Sequence, residues 1–240
     1  MRWIYLSPHL DDAVLSAGGW LYEQTQAGNQ VEIWTFMCGL PSTDELSDFA
    51  ITIHKIWELT TAEEVVRVRR AEDVNAGKIL GATTVHFDFL DCIYRRGKNG
   101  EWLYTGISME PHAEDAEYPA KIAEAINARL KPDDKLIAQF TVGKHVDHVL
   151  VRRAAELLGR PLHYVADIPY LFNTPEHLDP NRAGFKETAH AVSETGIRLW
   201  QDAILAYSSQ MSMLFKSPEA MREQIAEYAK QNNGLRIWTK

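Results

Sequence analysis

Twice in this chain an apolar run of strand type ends in a turn, gives way to clustered imidazoles and carboxylates, and resumes as an apolar helix. The first copy is Trp3-Ile4-Tyr5-Leu6, then Ser7-Pro8-His9-Leu10-Asp11-Asp12, then a helical segment from Ala13 to Leu21. Pro8 stops the strand because proline has no N–H to continue a ladder. The second copy is Leu136 to Val142, a glycine at Gly143, then Lys144-His145-Val146-Asp147-His148, then a helix from Val149 to Leu158 that stops at Gly159. In a parallel α/β sheet, strand ends that lead into helices lie on one edge, where sites form. The two clusters are therefore predicted to face one crevice.

A single aspartate before a helix has an ordinary explanation: a carboxylate accepts the free N–H groups of the first turn. That explanation covers Asp11 or Asp12 but not both, and it leaves His9 out. His9 and Asp12, three residues apart, can converge on one ion while Asp11 points elsewhere. A catalytic zinc takes about three protein ligands and keeps one position open, so the third ligand is expected from the second cluster. The result is a set of two histidines and one carboxylate.

Pro8-His9-Leu10-Asp11-Asp12 with Gly18-Gly19, and later His145-Val146-Asp147-His148, resemble the zinc-dependent de-N-acetylases. This superfamily takes its name from GlcNAc-phosphatidylinositol deacetylase and the LmbE proteins, and it includes the mycothiol and bacillithiol deacetylases. Arg69-Arg70-Ala71-Glu72 leading to Leu80-Gly81, Asp91, and Ala206-Tyr207-Ser208-Ser209-Gln210 fit the same pattern, so the resemblance runs from about Arg2 to Gln210. Two positions depart from it. Leu10 stands where the family has proline, and Ala13 where it has an acidic residue; neither is a metal ligand in the family.

The resemblance implies Zn²⁺, or another divalent transition metal, on His9, Asp12 and His148. It implies Asp11 as general base, a protonated His145 as helper for the oxyanion, and Asp147 as the residue that orients an imidazole. Arg69 and Asp91 are implied to bind substrate hydroxyls, with Arg70 as the competitor for that place. The implied reaction is hydrolysis of an N-acetyl amide on an N-acetylglucosamine-type conjugate, giving acetate and a free amine. Two alternatives stand beside it: an amidase for another amide such as a thiol conjugate, and a metal-binding α/β module without turnover.

The predicted architecture is a Rossmann-like three-layer α/β/α fold with a mostly parallel sheet. A catalytic core over about 2–167 is followed by a C-terminal helical and edge-strand segment, 168–240, within one domain. No G-x-G-x-x-G follows the first strand, which removes the dinucleotide fingerprint. A net charge of −8 without a long basic run argues against nucleic acid or an anionic membrane as partner. No apolar run approaches the ~20 residues of a membrane span, and the first strand begins too early for a signal peptide. A soluble, cytoplasmic chain is expected, acting on a small N-acetylated molecule, with a homo-oligomer left open.

Several stretches admit two readings. Cys38 and Cys92 follow apolar runs and read as buried small hydrophobes or as a further ligand or redox pair. The segment from Leu40 to Leu59, with a short helix through Phe49–Ile53, reads as a lid or a subunit contact. Cys92 to Thr105, turning at Lys98-Asn99-Gly100, reads as a β-hairpin. It is either a surface feature or a source of Tyr94, Trp102 or Tyr104 for stacking on a sugar. His54, His112, His163, His177 and His190 occur singly and read as surface or core, with His190 the nearest to a site role. Leu235 to Trp238 reads as an edge strand.

Overall fold

A computed structural model describes residues 1–240. Seven strands form one sheet: β1 (Arg2–Ser7), β2 (Gln30–Met37), β3 (Thr83–Phe89), β4 (Lys135–Gln139), β5 (Leu162–Val165), β6 (Lys186–His190) and β7 (Leu235–Thr239). The helices are α1 (Asp12–Gln26), α2 (Asp48–Ile56), α3 (Ala62–Leu80), α4 (Tyr118–Asn127), α5 (Val146–Leu157), α6 (Tyr170–Asn173), α7 (Leu178–Arg182), α8 (Glu194–Leu205), α9 (Met211–Leu214) and α10 (Pro218–Gln231).

The strand order is β3-β2-β1-β4-β5-β7-β6. β1 to β5 run parallel, and β7 is antiparallel to both of its neighbours. The order reverses between β1 and β4, and the two ligand clusters follow just these two strands. Ligands of open α/β sheets bind at such a switch point, beyond the carboxyl ends of the strands.

Period-two side-chain alternation gives the sheet two buried faces. Ile4 and Leu6 point into one core with residues of α4 and α5, while Tyr5 points into the other with residues of α1, α8 and α10. Helices on both faces complete the expected three layers. The pair Gly18-Gly19 lets α8 reach α1. A Cβ on Gly18 would stand 2.5 Å from the Trp200 ring, whose Nε1 donates to Val14 O at 2.6 Å.

Three expectations need correction. The segment Leu235–Trp238 is not an edge: β7 lies between β5 and β6, and the edge is β6, hidden in a stretch that reads as loop. The hairpin from Cys92 to Thr105 reduces to one bridge, Arg96 with Trp102, after a 3₁₀ turn at Cys92–Tyr94. Arg95 keeps extended backbone, its O accepting the Leu103 N–H at 3.1 Å, while its side chain turns inward to buried carboxylates. Helix α5 starts at Val146, not Val149, because His145 caps it: its Nδ1 accepts the Asp147 N–H at 3.1 Å.

Candidate metal centre and catalytic cleft

The turn after β1 is held by Ser7, whose hydroxyl donates to His9 O at 2.8 Å and accepts Ala13 N–H at 3.2 Å. Asp12 begins α1, and its Oδ2 accepts the His9 N–H at 2.8 Å. Neither aspartate serves as a side-chain helix cap, so the ordinary explanation fails for both. The turn before α5 uses left-handed backbone at Thr141, Gly143 and Lys144. Gly143 is required there twice over, by its φ of 85° and by the Tyr170 ring, 2.4 Å from where a Cβ would stand.

These two turns bring the clusters together. Asp12 Oδ2 lies 3.3 Å from His9 Nδ1 and 3.3 Å from His148 Nε2. Both approaches are wider than a charge-assisted hydrogen bond. They match the edge of a tetrahedron about a zinc with ligands at 2.0–2.1 Å, which is about 3.3 Å. The far nitrogens of both rings face carboxylates: His9 Nε2 is 3.0 Å from Asp147 Oδ2, and His148 Nδ1 is 2.8 Å from Asp167 Oδ1. Metal-binding histidines carry this partner almost without exception, because it fixes the tautomer and turns the other nitrogen toward the ion. Asp11, Asp12, Asp91, Asp147 and Asp167 surround the centre with only Arg69 and Arg95 as permanent cations. A divalent cation offsets most of that excess. The donor set fits zinc.

Titration behaviour follows from the same contacts. Burial alone raises the Asp12 carboxyl, but His148 and His9 outweigh it and hold Asp12 well below the usual carboxylate range. Burial lowers both of those imidazoles, and the carboxylates outweigh it. Asp12 and Asp167 bring His148 up to about 9, and Asp12 and Asp147 hold His9 well above its ordinary value. Burial pushes Asp11 up to about 7, with Arg69 Nη2 opposing from 3.4 Å. His145 is held well below its ordinary value by burial and by the charges of the other two rings. These contacts favour the neutral ring over the protonated form that the resemblance implies. With Nδ1 accepting from Asp147 N–H, its proton sits on Nε2.

Around this centre is an open cleft lined by His9, Asp11, Asp12, Arg69, Asp91, His145 and His148 together with apolar side chains. Asp147 is buried behind His9 rather than in the cleft. Arg69 reaches the cleft across Trp57, its guanidinium carbon 4.6 Å from the ring. Arg70 points the other way and is spent on Cys38 O and Asp88.

Tyr94, Trp102 and Tyr104 do not line this cleft. Tyr94 OH bonds His54 Nε2 at 2.7 Å, Trp102 lies under Arg96, and Tyr104 bonds Asp115. The aromatic walls are Trp57 and Tyr170, which reading by residue type did not single out. Asp167 was also missed as a partner of His148. Its signal was present, since it is the first polar residue after β5 on the same sheet edge. Cys38 and Cys92 are buried, free and unpaired, and His190 lies on β6 against Trp20, away from the site.

The family model described as PIG-L: GlcNAc-PI de-N-acetylase matches residues 4–158. The 2'-N-acetylparomamine deacetylase of Niallia circulans is 26% identical over 189 residues, which is 70% of this chain and 66% of that protein. Among solved structures, the zinc-inhibited form of teicoplanin deacetylase superposes with a TM-score of 0.87 at 28% identity, covering 100% of this chain and 97% of the other. An antimicrobial-reagent pseudoaglycone deacetylase gives 0.76 at 28% identity, covering 99% and 95%.

Proposed function

The chain belongs to the GlcNAc-PI de-N-acetylase family, and on that premise we propose that it hydrolyses the N-acetyl amide of an amino-sugar conjugate to acetate and a free amine. The observation that carries this reading is the Asp12 carboxylate, 3.3 Å from a nitrogen of both His9 and His148, at the floor of an open cleft. His9, Asp12 and His148 would hold the zinc, which when bound lowers the pKa of water toward 7 and polarises the amide carbonyl.

The chain's own residues supply the rest. Asp11, beside the ligand Asp12 and poised near neutrality, takes the proton of the attacking water. The water oxygen bonds to the carbonyl carbon, and the carbonyl oxygen, now anionic, accepts from the Nε2–H of neutral His145. As the C–N bond breaks, the proton on Asp11 passes to the departing nitrogen. Arg69 and Asp91 face the sugar, where a guanidinium and a carboxylate make paired bonds with hydroxyls.

The apolar part of the cleft includes Ile53, Trp57, Ile107, Tyr170, Met213 and Leu214. Such a wall suits the carbon face of a hexosamine and an apolar group attached to it. The α2 segment thus acts as a wall of the site. The 168–240 segment works as part of the same unit, since α8 packs on α1 and β7 extends the sheet. No helix is long and apolar enough to cross a membrane. Two buried free thiols support a reducing compartment, and we place the activity in the cytoplasm.

The test is amine release from a panel of N-acetylglucosamine, its aryl and alkyl glycosides, and N-acetylated amines that lack a sugar. Turnover of the glycosides that chelation abolishes and zinc restores supports the reading. Turnover confined to the non-sugar amides, or unaffected by chelation, contradicts it.

A further inference from the structure

Asp147 is where the metal centre meets the rest of the fold. Its Oδ2 accepts from His9 Nε2 at 3.0 Å and from Cys92 N–H at 2.9 Å. Its Oδ1 makes no hydrogen bond but is ion-paired with Arg95 Nη1, 2.5 Å away. Arg95 lines no part of the catalytic cleft, and its side chain is only 2% exposed.

A buried guanidinium is costly unless its charge and its N–H groups are answered. For Arg95 the charge is answered by two carboxylates and one N–H by a carbonyl, while Nε and Nη2 make no hydrogen bond. Nε lies 2.8 Å from Asp115 Oδ2, Nη1 also donates to Leu90 O at 3.0 Å, and the plane sits between Tyr104 and Tyr118, 4.9 and 5.0 Å from their ring centroids. Asp115 is itself pinned by the Tyr104 hydroxyl at 2.6 Å. The positive charge beside Asp147 is therefore fixed in place. Filling this volume alone would need only an apolar side chain. The charge is what Asp147 uses.

We infer that Arg95 is a positioning residue for the metal centre, fixing the Asp147 carboxylate so that Asp147 can hold the rotation and tautomer of His9. His9 then presents Nδ1 toward Asp12 without having to be ordered by the ion. The inference rests on His9 being a metal ligand and is independent of the substrate. Carboxylates that orient metal histidines are worth about 10–100-fold in affinity, and the residue that anchors such a carboxylate is expected to carry about tenfold.

The experiment measures zinc affinity by chelator competition, and the visible spectrum of the cobalt-loaded protein, in the parent chain, Arg95→Met, Arg95→Lys and Asp115→Asn. Arg95→Met is expected to bind zinc about tenfold more weakly and to shift the cobalt bands, which report the ligand field at His9. Arg95→Lys keeps the charge and is expected to recover most of the affinity. Asp115→Asn keeps the guanidinium but loosens its anchor, with an expected loss of about twofold to fivefold. Should Arg95→Met not fold, Asp115→Asn decides. Affinities within experimental error of the parent, with superimposable cobalt spectra, overturn the inference. A parent chain that binds no metal instead overturns the reading of His9 itself, so the two failures are distinct.

Discussion

The Asp167 carboxylate lies 2.8 Å from Nδ1 of His148, and its other oxygen accepts the Val142 N–H at 2.9 Å. One side chain at the end of β5 thus orients a metal histidine on α5 and ties down the turn that leads into that helix. Asp167→Asn keeps one acceptor but must place an amide N–H₂ against a donor on one side. We expect metal affinity to fall about 10–100-fold and stability by about 1–3 kcal/mol. Chelator competition and denaturant unfolding measure the two separately.

Asp11 is set apart from Asp12 by its partners. It has no imidazole contact, only Arg69 Nη2 at 3.4 Å, and burial brings it up to about 7. Asp11→Asn is expected to retain one equivalent of metal and to lower kcat by about 10²–10⁴-fold with KM little changed. Turnover near the parent rate would remove Asp11 from its place as base.

Metal uptake should release protons. In the metal-free protein His9 and His148 are both raised, so near pH 7 each ring holds a proton that a metal has to displace. Affinity is therefore expected to weaken as pH falls, by about ten- to hundredfold per unit. The dependence should ease as pH rises past about 9, where His148 has lost its proton. Calorimetry in two buffers of different ionisation enthalpy counts the protons; a pH-independent Kd would contradict the ligand assignment.

Arg69 opposes the effect of burial on Asp11. Removing its charge in Arg69→Met raises the Asp11 pKa, so more of the base is protonated at neutral pH. The acid limb of kcat/KM is expected to move to higher pH, with activity lost at pH 7 and partly regained above pH 8. KM for a glycoside should rise as well, because the same guanidinium faces the cleft beside Asp91. A pH–rate profile and a KM series test both parts.

Reading the chain residue by residue reached the two clusters and their common sheet edge, because ligand-type residues directly after buried strands are visible in one dimension. What local pattern could not show were contacts made across the sheet. Asp167 is visible as the first polar residue after β5, but its reach to His148 depends on β5 pairing beside β4. β6 has alternating exposure and no apolar stripe, so it reads as coil until β7 pairs with it. Arg95 looked like a hairpin residue because two buried acids, Asp115 and Asp147, lie 20 and 52 positions away. The aromatic walls came from Trp57 and Tyr170, on segments whose position over the site depends on long-range packing.

The most direct test is metal content and activity measured together on the parent chain and on His148→Ala after loading with zinc and removal of the excess. One equivalent of zinc in the parent, with loss of both zinc and amide hydrolysis in His148→Ala, is the expected result. A His148→Ala chain that keeps a full equivalent of zinc and hydrolyses at the parent rate would contradict the centre built on His9, Asp12 and His148.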